Sequence, residues 1–219
     1  METALRIAVV MIISYFIGAI PFSVIVGRTF YKVDVREHGS GNAGATNVMR
    51  VMGWQAGVAV LLLDALKGVA AVLFAMWVHP SHLGSTAYDW VLIGASFAAV
   101  LGHSYSPYLR FAGGKGVATA AGALLVVMPA AWPILFVAFA AVVAIGRMVS
   151  LGSVVIAALF PVLVLLFYTD RPALITFSFV AASLILWRHR SNIARIARGE
   201  EAKISWSRDR SAEHKEDAR

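Results

Sequence analysis

The chain is expected to fold as an all-α, polytopic membrane helix bundle, on three observations: it is too apolar for a soluble surface, its apolar residues fall in runs of membrane-crossing length, and its basic residues gather between alternate runs. Of its 219 residues, 59% are hydrophobic and 14% charged, and the mean hydropathy is +0.76. Soluble domains are about 45–50% apolar and about 25% charged, so lipid must serve as solvent for most of this chain. A hydrocarbon core about 30 Å thick is crossed by roughly 20 apolar residues of helix. No stretch is left over for a separate soluble domain.

About seven apolar segments can be drawn, some of them short, at 4–27, 54–78, 90–109, 116–128, 131–146, 151–168 and 172–187. The first is longer than a signal-peptide core, has only Arg6 as a basic leader and is followed by further apolar runs, so a retained helix is expected. The fourth, roughly 20 Å of helix, is short for a crossing and meets the fifth between Pro129 and Pro133. These two are expected to form a partly buried hairpin. One set of loops carries Arg28, Lys32, Arg36, Arg50, Arg110, Lys115, Arg147 and the basic tail from Arg188 onward, whereas the opposite set carries only Arg6 and Arg171. The positive-inside rule then places the N-terminus outside and the C-terminus in the cytoplasm. The stretch 188–199 reads as a short basic interfacial helix stopped by Gly199. The chain thus divides into a membrane-embedded domain, 1–204, and a charged, disordered cytoplasmic tail, 205–219.

Several chemistries are excluded by what is missing. With no cysteine there is no disulfide framework, thiolate nucleophile or cysteine metal site. The net charge of +7 does not point to nucleic acid, because the basic residues border apolar runs without an aromatic-basic groove. Anionic lipid or anionic substrates are the expected partners. There is no Gly-x-Ser-x-Gly elbow and no paired-histidine zinc motif, and no histidine is followed four residues on by aspartate, as in soluble-donor glycerolipid acyltransferases. His79 and His82 lack nearby carboxylates, so no metal site is expected there.

Three polar clusters carry the chemistry. His38 to Arg50 sets three glycines, Gly39, Gly41 and Gly44, among Ser40, Asn42, Thr46, Asn47 and Arg50. Glycine lets backbone N–H groups turn toward an anion while these side chains add donors, which makes a phosphate cradle, though not a Walker loop. Gly102 to Thr119 places Lys115 among Gly113, Gly114 and Gly116 at the start of the fourth segment, where a helix N-terminus favours anions. The third joins Arg147 to Ser153, before the sixth segment, with Arg188 to Asn192 after the seventh. His189 and Asn192 there share a helical face. Inside the second segment Asp64 and Lys67 are spaced i,i+3, and each charge costs about 2.5–3.5 kcal/mol at a bilayer centre. They should face inward and pair, as a structural clamp, a catalytic element or a proton path.

The runs Ser40-Gly-Asn-Ala-Gly-Ala-Thr-Asn47, Phe111-Ala-Gly-Gly-Lys-Gly-Val-Ala-Thr119 and His189-Arg-Ser-Asn-Ile193, in this order, resemble the PlsY-type acyl-phosphate:glycerol-3-phosphate acyltransferases of bacteria. The resemblance extends over nearly the whole chain. It implies transfer of a fatty acyl group from a long-chain acyl phosphate to the 1-hydroxyl of glycerol 3-phosphate, giving lysophosphatidate and inorganic phosphate. It also implies an inner-membrane location with the site facing the cytoplasm, no cofactor, no metal, and the acyl-phosphate-forming enzyme as a possible partner. By motif, Lys115, Arg50, His189 and either Ser150 or Ser153 grip the glycerol phosphate, with Asn192 beside them. The loop of Ser40, Gly41, Asn42, Gly44, Thr46 and Asn47 holds the acyl phosphate, and Gly113 and Gly114 flank Lys115. The hydroxyl proton goes to His189 or to a substrate phosphate, the latter being the family's presumed route.

The rival reading is a transporter or channel for organic phosphate, with the same donors between broken helices at mid-membrane. Against it, the donors cluster at one face and no paired inverted halves are visible in the sequence.

Overall fold

The computed structural model describes residues 1–78 and 85–204. His79, His82 and the tail 205–219 lie outside the described residues. Among the described residues every regular element is helical: α1 (Glu2–Ala19), α2 (Phe22–Val26), α3 (Ala45–Met52), α4 (Trp54–Val78), α5 (Ser85–Ser104), α6 (Val117–Val127), α7 (Trp132–Gly146), α8 (Val149–Phe167), α9 (Pro172–Arg188) and α10 (Arg190–Ala197), with short π and 3-10 turns between.

Each of the seven expected apolar segments is found as helix, the first as α1 plus α2 and the others as α4 to α9. Among the described residues three stretches, Glu2–Tyr31, Trp54–Val78 and Val149–Phe167, are long and apolar enough to cross a membrane, and α9 with α10, bent by 61°, makes a fourth if counted as one span. The third segment runs 85–104 rather than 90–109 because Ser106 and Pro107 begin a separate 3-10 turn. Residues 45–52, read from sequence as loop, form α3, so Thr46, Asn47 and Arg50 project from a helix.

The break between α1 and α2 follows from Pro21, which has no N–H and collides with a preceding turn. Its freed carbonyls are satisfied by neighbouring elements: Ser106 Oγ donates to Ala19 O at 2.6 Å and Lys67 Nζ to Ile20 O at 2.9 Å.

The expected hairpin of α6 and α7 is corrected. α6 packs chiefly on α4, and α7 on α8. The reason is steric: a Cβ added at Gly68 would lie 2.0 Å from Thr119 O, and one at Gly122 would lie 1.9 Å from Ala65 O. These small residues let the α4 and α6 backbones touch, which gives α6 a better partner than α7. The two helices therefore diverge, bridged by Trp132 Nε1 donating to Ala121 O at 2.8 Å, and a groove opens between them. At the other end of the bundle Arg171 forks onto both oxygens of Asp89 at 2.7 Å and donates to Val127 O, tying α9 to α5 and α6.

Candidate active site

The groove has an internal volume of about 440 Å³. Its apolar lining includes Leu124, Trp132, Phe136, Phe139 and Phe160, and its polar lining includes Ser40, Arg50, Lys115, Ser150, His189 and Asn192. One cavity thus joins an apolar channel to the three polar clusters.

The first cluster is shaped by Asn47, which is buried. Its Oδ1 accepts from Ser40 N at 2.8 Å, and its Nδ2 donates to Val35 O and His38 O at 2.8 and 3.0 Å. The sequence assigned Asn47 to substrate; although it lines the groove, its amide is committed to folding the loop. A Cβ at Gly39 would lie 2.4 Å from Asn47 Oδ1, and φ there is +60°, so the loop can close over Asn47 only with glycine. Upstream, Asp34 binds both Arg28 and Arg36. The Arg36 guanidinium, with help from Arg28, holds its carboxyl far below the usual range. This scaffold delivers Ser40, Asn42, Gly44, Thr46 and Arg50 to the groove, while Gly41 does not line it.

The second cluster is a tight loop seated on the end of α5. Gly113 N donates to Ser104 O at 3.2 Å and Gly114 N to His103 O at 3.1 Å. From the other side Arg188 donates to Gly113 O and Gly114 O at 2.9 and 2.7 Å and lies over the Tyr105 ring. Gly113 and Gly114 therefore do not line the groove; they aim Lys115, whose Nζ donates to Asn192 Oδ1. Burial pushes the Lys115 ammonium down to about 8, against the pull of Glu201.

The third cluster centres on a residue the sequence reading missed. Glu201 is only 6% exposed. Its Oε1 accepts from Asn192 Nδ2 at 2.7 Å and from Ser150 Oγ at 2.8 Å, and its Oε2 from Arg195 Nε at 2.7 Å. Burial raises its pKa, but the donors from Asn192, Ser150 and Arg195 outweigh that and leave the carboxyl below its ordinary value. The chain reaches this point because Gly199, with φ +71°, turns it back after α10. Residues 202–204 then pass across the site, where Arg147 donates to Ile204 O and Arg50 to Ala202 O. The available signal was an acidic pair immediately after the glycine stop of a basic helix.

Ser150 and Ser153 both line the groove but differ in hydrogen-bond partner. Ser153 Oγ donates to Val149 O within its own helix, whereas Ser150 Oγ belongs to the Glu201 network. Ser150→Ala should therefore lower turnover about tenfold or more, the loss of roughly one charge-assisted hydrogen bond, with Ser153→Ala near wild type. Equal losses measured in purified protein would overturn that assignment.

His189 sits at the bend between α9 and α10. Its Nδ1 lies 2.8 Å from Ile185 O, and because a carbonyl only accepts, Nδ1 carries the proton and Nε2 is the acceptor in the neutral ring. Burial, then the charge of Lys115, holds the imidazole down to about 4.

Residues 8–199 match the family model described as glycerol-3-phosphate acyltransferase. The chain belongs to the glycerol-3-phosphate acyltransferase family. It is 46% identical over 204 residues to curated glycerol-3-phosphate acyltransferases of Staphylococcus aureus strains JH9 and Newman, covering 92% of this chain and all of theirs. Two crystal structures of PlsY, an integral membrane glycerol 3-phosphate acyltransferase, are similar throughout. The glycerol 3-phosphate form superposes with a TM-score of 0.81 at 36% identity, over 91% of this chain and 96% of that one. The lysophosphatidic acid form gives 0.78 at 35% identity, over 91% and 95%. This acyltransferase is thus an integral membrane enzyme of all-helical fold, and Glu201 lies just beyond the residues that the family model matches.

Proposed function

We propose that this glycerol-3-phosphate acyltransferase takes its acyl group from a long-chain acyl phosphate and delivers it to the 1-hydroxyl of glycerol 3-phosphate, yielding lysophosphatidate and inorganic phosphate. The observation that carries the reading is the groove itself, where an apolar channel ends between two sets of anion donors. One set is the Ser40 to Thr46 loop; the other is Lys115, Arg50 and Asn192, with Ser150 joined to Asn192 through Glu201. Two phosphates and one alkyl chain fit that division of chemistry. In both proposed sets the groups on this chain donate, and neither set requires a metal or cofactor.

The apolar channel takes the acyl chain, and the amides at the uncapped start of α3, with Ser40 and Thr46, hold the acyl phosphate. Lys115 and Arg50 grip the glycerol phosphate, and Ser150 is the serine that supports them, through Glu201 and Asn192. An acyl phosphate is an activated mixed anhydride, so no covalent enzyme intermediate is required. The glycerol hydroxyl oxygen attacks the acyl carbon, the carbon–oxygen bond to phosphate breaks, and phosphate departs. The donors around the carbonyl stabilise the oxyanion.

His189 accepts a hydrogen bond from the attacking hydroxyl through Nε2 and orients it. Held near 4, the ring is a poor base at neutral pH, where an effective base has a pKa near the working value. A substrate phosphate, with a second pKa of about 6, takes the proton. His189→Ala should then slow turnover while keeping the shape of the pH profile. Loss of an acidic limb in that variant would instead make His189 the base.

The excess of basic residues in one set of loops supports a site at the cytoplasmic face of a bacterial inner membrane, with the N-terminus outside. Residues 1–204 form the membrane-embedded enzyme in this reading. The test mixes purified protein with labelled glycerol 3-phosphate and palmitoyl phosphate, palmitoyl-CoA or palmitoyl-ACP in separate reactions. Lysophosphatidate from palmitoyl phosphate alone supports the donor, and product only from a thioester overturns it.

A further inference from the structure

Beneath the Lys115 loop lies a polar assembly to which the proposed acyl transfer assigns no step, although Asp64 and His103 reach the lining of the groove. Asp64 and Lys67 of α4 and His103 of α5 are 2%, 3% and 8% exposed. Lys67 Nζ is 2.8 Å from Asp64 Oδ1, 2.9 Å from His103 Nδ1 and 2.9 Å from Ile20 O, so all three ammonium protons have acceptors. An ammonium has no lone pair to offer. His103 Nδ1 must therefore accept, which leaves the proton of the neutral ring on Nε2.

That nitrogen faces the glycine loop. A Cβ on Gly114 would lie 2.1 Å from His103 Nε2, and one on Gly113 would lie 2.0 Å from His103 O. The two glycine amides also donate to the carbonyls of His103 and Ser104. The ring and backbone of His103 thus form the seat of Gly113 and Gly114, and Lys115 is the next residue. Burying an ion pair in an apolar bundle gives little net stability, since apolar side chains of similar volume serve as well or better. Stability alone therefore does not account for this triad.

We propose that Asp64, Lys67 and His103 are positioning residues for acyl transfer: by locking the His103 ring they seat Gly113 and Gly114 and so hold the Lys115 ammonium at the substrate phosphate. The inference rests on the reading that Lys115 binds phosphate. Lys115 is faced by Arg50 of α3, Arg188 at the end of α9, His189, Arg195 of α10 and Glu201, and none of these belongs to the triad.

The test follows kcat and kcat/KM for glycerol 3-phosphate against pH, alongside thermal unfolding, in purified His103→Asn and in the double variant Asp64→Asn with Lys67→Met. Asparagine supplies an acceptor oxygen for Lys67 but withdraws the ring from Gly114, and the double variant removes both charges together so that neither is left unpaired. Each is expected to remain folded and to lose kcat about tenfold to a hundredfold, the size of effect that a misplacement of about 1 Å produces. The alkaline limb of kcat/KM is expected to move up from about 8 toward the ordinary lysine value of 10.5 as Lys115 loses its burial. Wild-type kcat with an unmoved limb overturns the proposal, and so does a loss of activity that only follows loss of folded protein. Lys115→Ala is run in parallel: if it is active, the phosphate reading falls and takes this inference with it, whereas an inactive Lys115→Ala beside normal triad variants overturns the positioning role alone.

Discussion

Lys115→Ala is expected to abolish acylation of glycerol 3-phosphate, by about a thousandfold or more, without changing the amount of folded protein. Lys115 is the half-buried cation where the polar lining meets the apolar channel, and among the described residues its Nζ donates to Asn192 Oδ1, which leaves two N–H donors for a phosphate. Its loss removes a point charge from a half-buried position, where charge counts for more than at a fully exposed surface. Because burial pushes the ammonium down to about 8, the group is cationic below that value and neutral above it. In the wild-type enzyme kcat/KM for glycerol 3-phosphate should therefore be high at neutral pH and fall as pH rises through about 8. Lys115→Arg, cationic throughout, should lack that limb whatever its residual rate. Near-normal turnover in Lys115→Ala would remove Lys115 from the site.

Glu201→Ala is expected to cost about a hundredfold in turnover together with about 3 kcal/mol of stability, the second estimate resting on two buried hydrogen bonds to a carboxylate at about 1.5–3 kcal/mol each. The Arg195 pair adds little, because the Arg195 side chain is 38% exposed. Without the carboxylate, Ser150 and Asn192 lose their acceptor, and Asn192 no longer presents its Oδ1 to Lys115 in a fixed orientation. Glu201→Gln keeps the shape and should recover part of both losses. The sign of the pH effect follows from the depressed carboxyl: its contribution is fully present above the ordinary value of 4.5 and disappears as pH falls below that through the folded value. Thermal unfolding of Glu201→Ala at the wild-type temperature, with normal turnover, would show that the network organises nothing.

Glu201 also marks where sequence reading stopped. Its role depends on a turn at Gly199 and on partners about ten and fifty residues away, and no local pattern distinguishes a carboxylate that folds back from one in a solvated tail. Asn47 shows a different limit. It sits in a run of donors and was counted among them, but only the folded loop reveals that its amide is already taken by Val35, His38 and Ser40. Gly113 and Gly114 read as an anion cradle, yet both are hemmed in by His103, so their lack of a side chain serves packing. Ser150 and Ser153 likewise read alike in sequence, because both face the groove and only their hydrogen-bond partners differ.

By itself the sequence determined that the chain is a membrane-embedded helical bundle, where its seven apolar segments lie, and which three polar clusters have the composition to hold phosphate. Those features are written in composition and in local runs, because the bilayer requires apolar stretches of fixed length and phosphate recognition requires glycine and donors close together. Only the tertiary structure decided that α6 leaves α7 for α4 and opens the groove, that Asp64, Lys67 and His103 meet beneath the Lys115 loop, and that Glu201 returns to bind Ser150 and Asn192. These are contacts between residues far apart in the chain, set by which backbones can approach closely and which buried charges must find partners, and neither requirement leaves a periodic trace.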